Sequence, residues 1–176
     1  MFKIVESGVK WGIVTAKWSE WESEPGRKEV TAVMFMGEYN HTIDPKGRVI
    51  IPAKFRESLG TQFVITKGLD GCLYGYPYDA WEEVGKNFKE SIKANKEARK
   101  FSRFLFSSAS GCDIDKQGRV LIPANLREYA DLKKDVVLAG NLTHIEIWDK
   151  EKWDEANSFD DMDEVADKLA ELGLTL

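Results

Sequence analysis

The sequence predicts an α+β protein made of two tandem copies of one β-β-α-β-β unit, each copy followed by a trailing helix. Three observations carry this. The stretch "HTIDPKGRVIIPAKFRE" (41–57) returns as "CDIDKQGRVLIPANLRE" (112–128), and overlaying 44–57 on 115–128 gives nine identities in fourteen positions. With one residue inserted the likeness continues, setting Gly68 on Gly140, Leu73 on Ile145, Tyr76 on Trp148 and Trp81 on Trp153. Internal similarity over so long a stretch marks a duplicated structural unit rather than a chance motif. Finally, short apolar alternations separated by Gly, Pro and Asp punctuate both copies, the pattern of strands joined by tight turns.

Each element has its own reason. "EYNHTI" alternates and is rich in strand formers, and "RVII" is a second short strand. Between them, Asp44-Pro45-Lys46-Gly47 places Pro where a turn wants φ fixed and Gly where it wants φ positive. The second copy, Asp115-Lys116-Gln117-Gly118, lacks the proline but keeps Asp and Gly. Pro52 and Pro123 open the short helices "AKFRESL" and "ANLREYA", because proline suits a helix's first turn. A second hairpin follows in each copy: "QFVITKG" with "CLYGYP", and "DVVLAG" with "HIEIW". Asp79-Ala-Trp-Glu82 reads as a capping box for a helix running to about residue 100. The predicted organisation is an extension (1–33), a first repeat with its helix (34–106), a second repeat (107–153) and an acidic C-terminal helix or tail (154–176).

Composition narrows the function. The 176 residues are 43% hydrophobic and 31% charged, and their apolar runs are too short for a transmembrane helix. Cys72 and Cys112 lack the partners a zinc site needs and read as structural thiols. The net charge of −5 conceals a segregation. Residues 86–103 carry seven basic side chains against two acidic ones, whereas residues 149–176 carry ten acidic against three basic. No nucleophile–base pair, carboxylate dyad, phosphate-cradling loop or metal spacing recurs in both copies, so the sequence points to no enzyme, cofactor, metal or small-molecule substrate.

Arg48 and Arg119 follow the turn glycines, at the rim of each hairpin. Two readings stand side by side. In one, each arginine pairs with Asp44 or Asp115 across its turn, a surface ion pair of little weight. In the other, the aspartate fixes a guanidinium that the loop, together with Lys46, presents to an anion, since arginine forms bidentate bonds to phosphate or to guanine. Two matched basic loops in one chain suit a repetitive partner.

The stretches "MFMGEYNHTIDPKGRVIIPAKFRE" and "DIDKQGRVLIPANLREYA", with "IEIWDKEKW" after them, resemble the MraZ family, bacterial regulators associated with the division and cell-wall gene cluster. The resemblance spans about Met34 to Trp153. It implies an AbrB-like swapped-hairpin, or double-split, β-barrel in which hairpins interlock about a pseudo-two-fold axis. It further implies a ring-shaped homo-oligomer, cytoplasmic and nucleoid-associated, that binds double-stranded DNA at direct GTGG-type repeats upstream of its own operon. The family's Asp-x-x-x-Arg motif falls on Asp44 and Arg48, then on Asp115 and Arg119. Arginine is then the contact and aspartate its positioner, with Pro45, Gly47 and Gly118 forming the turns. Lys46 has Gln117 as its counterpart, so the first loop is expected to bind more strongly. Interlocking predicts that Val49, Ile51, Val64 and Ile65 pack against Val120, Ile122, Val137 and Leu138.

The first 33 residues depart from the family pattern, which opens at Met34-Phe35-Met36-Gly37. They read as a disordered extension. Each Trp codon is TGG, so Lys10-Trp11, Lys17-Trp18 and Glu20-Trp21 can encode GTGG cores, and Gly26 to Val30 can be written as a purine-rich ribosome-binding site. The expectation is therefore a translated operator and leader, with Met34 as the true start. Two other functional classes compete: a protein-binding ring scaffold whose basic loops serve its own assembly, and an antitoxin-like module. The amphipathic "VADKLAELGL" near the C-terminus fits a helix that docks on a neighbour.

Overall fold

In the computed structural model, residues 34–158 and 161–174 are described; the extension over 1–33 lies outside them. The first copy contributes β1 (Glu38–Thr42), β2 (Arg48–Ile50), α1 (Ala53–Leu59), β3 (Gln62–Lys67) and β4 (Leu73–Pro77). It is trailed by α2 (Tyr78–Ala94) and α3 (Lys96–Phe106). The second copy contributes β5 (Ser110–Asp113), β6 (Arg119–Leu121), α4 (Ala124–Ala130), β7 (Asp135–Asn141) and β8 (His144–Asp149). It is trailed by α5 (Lys150–Ala156) and α6 (Met162–Glu171).

The strands pair across the copies more than within them. Six form an antiparallel sheet in the order β1-β7-β8-β4-β3-β5, and β2 pairs with β6 in a separate two-stranded ribbon. Thus β1 of the first copy lies on β7 of the second, while β5 of the second lies on β3 of the first. The ribbon is centred on Val49 opposite Val120, which makes that pair the pseudo-two-fold point. Backbone bonds repeat about it: Ile51 N–H donates to Gly118 O at 2.8 Å, and Ile122 N–H to Gly47 O at 3.0 Å. This is a duplicated, swapped-hairpin α+β fold. The eight strands do not close into one continuously hydrogen-bonded barrel, because the ribbon is linked to the flanking chain only by the isolated bridge between Ile114 and Val120 and by the turn bonds of Asp44 and Asp115.

One face of the larger sheet holds the core. Val49, Ile51, Ile65, Val120, Ile122 and Leu138 are all fully buried there, with Phe55 and Leu126 from α1 and α4. Val64 and Val137 are buried too, but on the opposite side of the sheet. Strand side chains alternate, and their neighbours Ile65 and Leu138 already point inward. The expected cross-copy packing therefore holds for six of the eight residues.

The trailing helices differ from expectation. Asp79 does not cap α2; the helix starts at Tyr78 after an extended Pro77 and has no side-chain cap bond, and Asp79 Oδ1 accepts from the adjacent Ala80 N–H. Nor does the helix run to residue 100. It breaks at Asn95, whose extended backbone (φ −121°, ψ 128°) frees its side chain to accept from Glu97 and Ala98 N–H and start α3. α5 runs through the expected boundary at 153/154. Among the described residues no helix is long and apolar enough to cross a membrane. Cys72 and Cys112 are both free and buried, and burial pushes both thiols up.

Candidate nucleic-acid interface

Both loops adopt one geometry, although their sequences differ at Pro45/Lys116 and Lys46/Gln117. Asp44 N–H donates to Arg48 O and Gly47 N–H to Asp44 O, each at 2.8 Å; the bonds made by Asp115 and Gly118 have the same length. Gly47 (φ +82°) and Gly118 (φ +77°) turn the chain in the left-handed region, which glycine enters without steric cost. The aspartate side chain then does two jobs. Asp44 Oδ1 accepts from Lys46 N–H at 2.9 Å and Arg48 N–H at 3.0 Å, while Asp115 Oδ1 accepts from Gln117 N–H at 2.8 Å and Arg119 N–H at 3.0 Å. The other oxygen binds the arginine: Arg48 Nε and Nη2 lie 2.8 and 2.6 Å from Asp44 Oδ2, and the Arg119 pair lies 2.9 and 2.8 Å from Asp115 Oδ2. The Arg48 side chain, followed by its backbone amide, holds Asp44 down to about 2. Asp115 is lowered as well, first by the Arg119 amide and then by its guanidinium.

The consequence is directional. Each aspartate oxygen takes the Nε–Nη2 edge of its guanidinium, leaving the Nη1–Nη2 edge as a fork of donors that no other residue among those described takes up. Register places both forks on one surface. Arg48 sits opposite Leu121 and Arg119 opposite Ile50, while Val49 and Val120 between them point into the core. The two arginines are thus diagonal neighbours, about 7–8 Å apart at Cα in such a pair. Ile50 and Leu121, 47% and 55% exposed, share that surface. Arginine forks beside apolar side chains match guanine beside a thymine methyl, and a two-stranded ribbon fits the major groove.

The second repeated arginine, Arg56 or Arg127, is identical in register in both copies, and that identity was the signal for a role that the sequence reading left unassigned. A Cβ on Gly47 would stand 2.8 Å from Cζ and Nε of Arg127, and a Cβ on Gly118 would stand 2.7 Å from Nη1 of Arg56. Each guanidinium therefore lies against the turn glycine of the other copy. The brace is unequal. Arg127 Nε donates to Ile122 O at 3.1 Å, whereas Arg56 Nε is buried without a partner. The expected advantage of the first loop rested on Lys46 alone. The second loop carries Lys116 one place earlier, also exposed, so the two loops offer the same number of cations.

This duplicated swapped-hairpin arrangement is consistent with an AbrB-like fold. Within that class, the family model described as "MraZ protein, putative antitoxin-like" matches residues 34–104 and 105–171. The chain belongs to the MraZ family. It is 56% identical over 142 residues to a protein of Lachnoclostridium phytofermentans, covering 81% of this chain and 99% of that one. Relatives from Clostridium beijerinckii and Clostridium tetani are 54% and 53% identical over 142 residues, covering 80% of this chain and all of theirs. All three are named transcriptional regulator MraZ.

Proposed function

We propose that this protein is a sequence-specific DNA-binding transcriptional regulator of the division and cell-wall gene cluster. It binds short direct GTGG-type repeats upstream of its own operon as a homo-oligomeric ring. The supporting observation is that Arg48 and Arg119 share one face of the ribbon, each held by an aspartate, with Nη1 bonded to none of the described residues. The names of the relatives support the regulatory part. Lys46 and Lys116, exposed beside the forks, supply phosphate contacts.

The test is fluorescence anisotropy on the DNA upstream of the gene, across a salt series. Neutralised phosphates release counterions, so affinity should fall steeply and linearly on logarithmic axes. Arg48→Ala and Arg119→Ala should each cost about 1–3 kcal/mol, in comparable measure. The double variant should lose discrimination between operator and scrambled DNA. A double variant with unchanged operator affinity overturns the site. Flat salt dependence returns the protein to the scaffold or antitoxin-like readings.

A further inference from the structure

The basic helical hairpin and the acidic terminal helix belong to different copies of the duplicated unit, and the chain treats them unequally. In the first copy the trailing helices fold back on their own strands. Leu105 is buried, its carbonyl accepts from Thr66 Oγ1 at 2.5 Å, and Trp81 packs between Tyr76 and Phe106. In the second copy α5 packs on β7 and β8, but α6 contributes no buried residue. Met162, Val165, Leu169 and Leu172 recur at helical spacing along one side of α6; Leu169 is 40% and Leu172 78% exposed. Asp163, Glu164, Asp167 and Glu171 dominate the rest of its circumference against Lys168 alone. A ten-residue helix that buries none of its side chains is marginal in water, so α6 needs a partner.

The α2–α3 hairpin offers the complementary surface. Half-buried phenyl rings run along it, Phe88 against Phe101 at 5.7 Å and Phe101 against Phe104 at 5.8 Å. Lys96, Lys100 and Arg103 line one side of α3 at helical spacing and Lys89 adds to the rim; all four are exposed. Among the described residues none of these four has a carboxylate partner. We propose that α6 of one chain docks by its apolar stripe on the α2–α3 hairpin of a second copy of this chain, with the hairpin's cations over the helix's carboxylates. The two surfaces differ, so the contact is head-to-tail, the geometry that closes rings. This deepens the oligomeric part of the proposed function and rests on it.

The experiment is sedimentation velocity on the full chain without DNA, so that assembly is read apart from operator binding. One variant carries Lys96→Glu, Lys100→Glu and Arg103→Glu; the other carries Asp163→Lys, Glu164→Lys and Asp167→Lys. Each alone should shift the protein to smaller species, raising the dissociation constant about tenfold or more at low salt, while circular dichroism loses no more than the helicity of α6. An equimolar mixture should regain the large species, since every reversed helix then meets a reversed hairpin. Where a triple variant does not fold, Leu169→Asp, on the exposed stripe, should dissociate the wild-type assembly by itself. A wild-type chain that stays monomeric, an assembly indifferent to both variants or to Leu169→Asp, or a mixture that recovers nothing each overturns the docking. A monomer that still binds operator with the expected salt slope refutes the docking while sparing the DNA reading.

Discussion

Replacing Gly47 by alanine tests whether the arginine brace is an energetic link between the copies. At φ +82° an alanine pays the left-handed penalty of about 1–2 kcal/mol, offset by about 0.4–1 kcal/mol from its stiffer unfolded chain. The new methyl also overlaps the Arg127 guanidinium at 2.8 Å. That group can swing away, but it then loses its bond to Ile122 O, about 0.5–1.5 kcal/mol. Together these make about 2 kcal/mol, a fall of roughly 4–8 °C in Tm for a chain of this size. In an Arg127→Ala background the bond is already gone, so Gly47→Ala should cost about 1 kcal/mol less, a coupling outside the usual additivity error. At the mirror position Arg56 Nε makes no bond, so Gly118→Ala should couple to Arg56→Ala hardly at all. The assay is urea denaturation of both double-mutant cycles at one fixed protein concentration, because assembly shifts apparent stability. Additive effects at Gly47, or equal coupling in the two loops, would refute the brace.

Two further expectations follow. A depressed carboxylate pKa gives stabilisation that is present above the unfolded value of about 3.9 and is lost as pH falls through the folded value. Asp44, held to about 2, should therefore keep Arg48 in place unchanged between pH 5 and 8 and release it only in strong acid. A carboxyl-carbon NMR titration should show its midpoint near 2, rising toward the ordinary range in Arg48→Ala; a wild-type midpoint near 4 contradicts the pairing. Residues 34–106 expressed alone should not give a folded monomer, because β1, β2 and β3 lose β7, β6 and β5. A self-paired dimer, seen by light scattering and NMR, supports the interlocking, and a well-dispersed monomer spectrum disproves it.

What could be read in advance follows the range of the interactions involved. Turn chemistry, strand alternation and the repeat are local or self-referential signals, so the hairpins, the loops and the pairing of Asp44 with Arg48 were legible. The sheet face of Val64 was not, because two adjacent apolar residues, Val64 and Ile65, leave the alternation phase open until a partner strand fixes it. Nor was the break at Asn95: the basic run on either side favours helix, and only the side-chain bonds to Glu97 and Ala98 N–H show why the chain stops and restarts. The brace was half visible. Arg56 and Arg127 stand in identical register, but that identity assigned them no role, because the glycine each one covers belongs to the other copy, a contact without sequence proximity.

The unequal copies also explain what fusion adds to a fold that two identical hairpin units could build as a dimer. In such a dimer every surface occurs twice about the axis, so a helix that docks on its twin makes an isologous contact and growth stops there. Fusion lets the halves diverge where divergence is useful. The loop geometry has stayed the same to within about 0.2 Å in every hydrogen bond around Asp44 and Asp115, so the surface that carries Arg48 and Arg119 keeps its two-fold repeat. The trailing helices have separated into a basic hairpin seated on its own strands and an acidic helix that buries none of its side chains. Under the proposed docking, a head-to-tail assembly repeats each chain and its pair of arginines in the same sense, and that polarity is what a row of direct repeats would require.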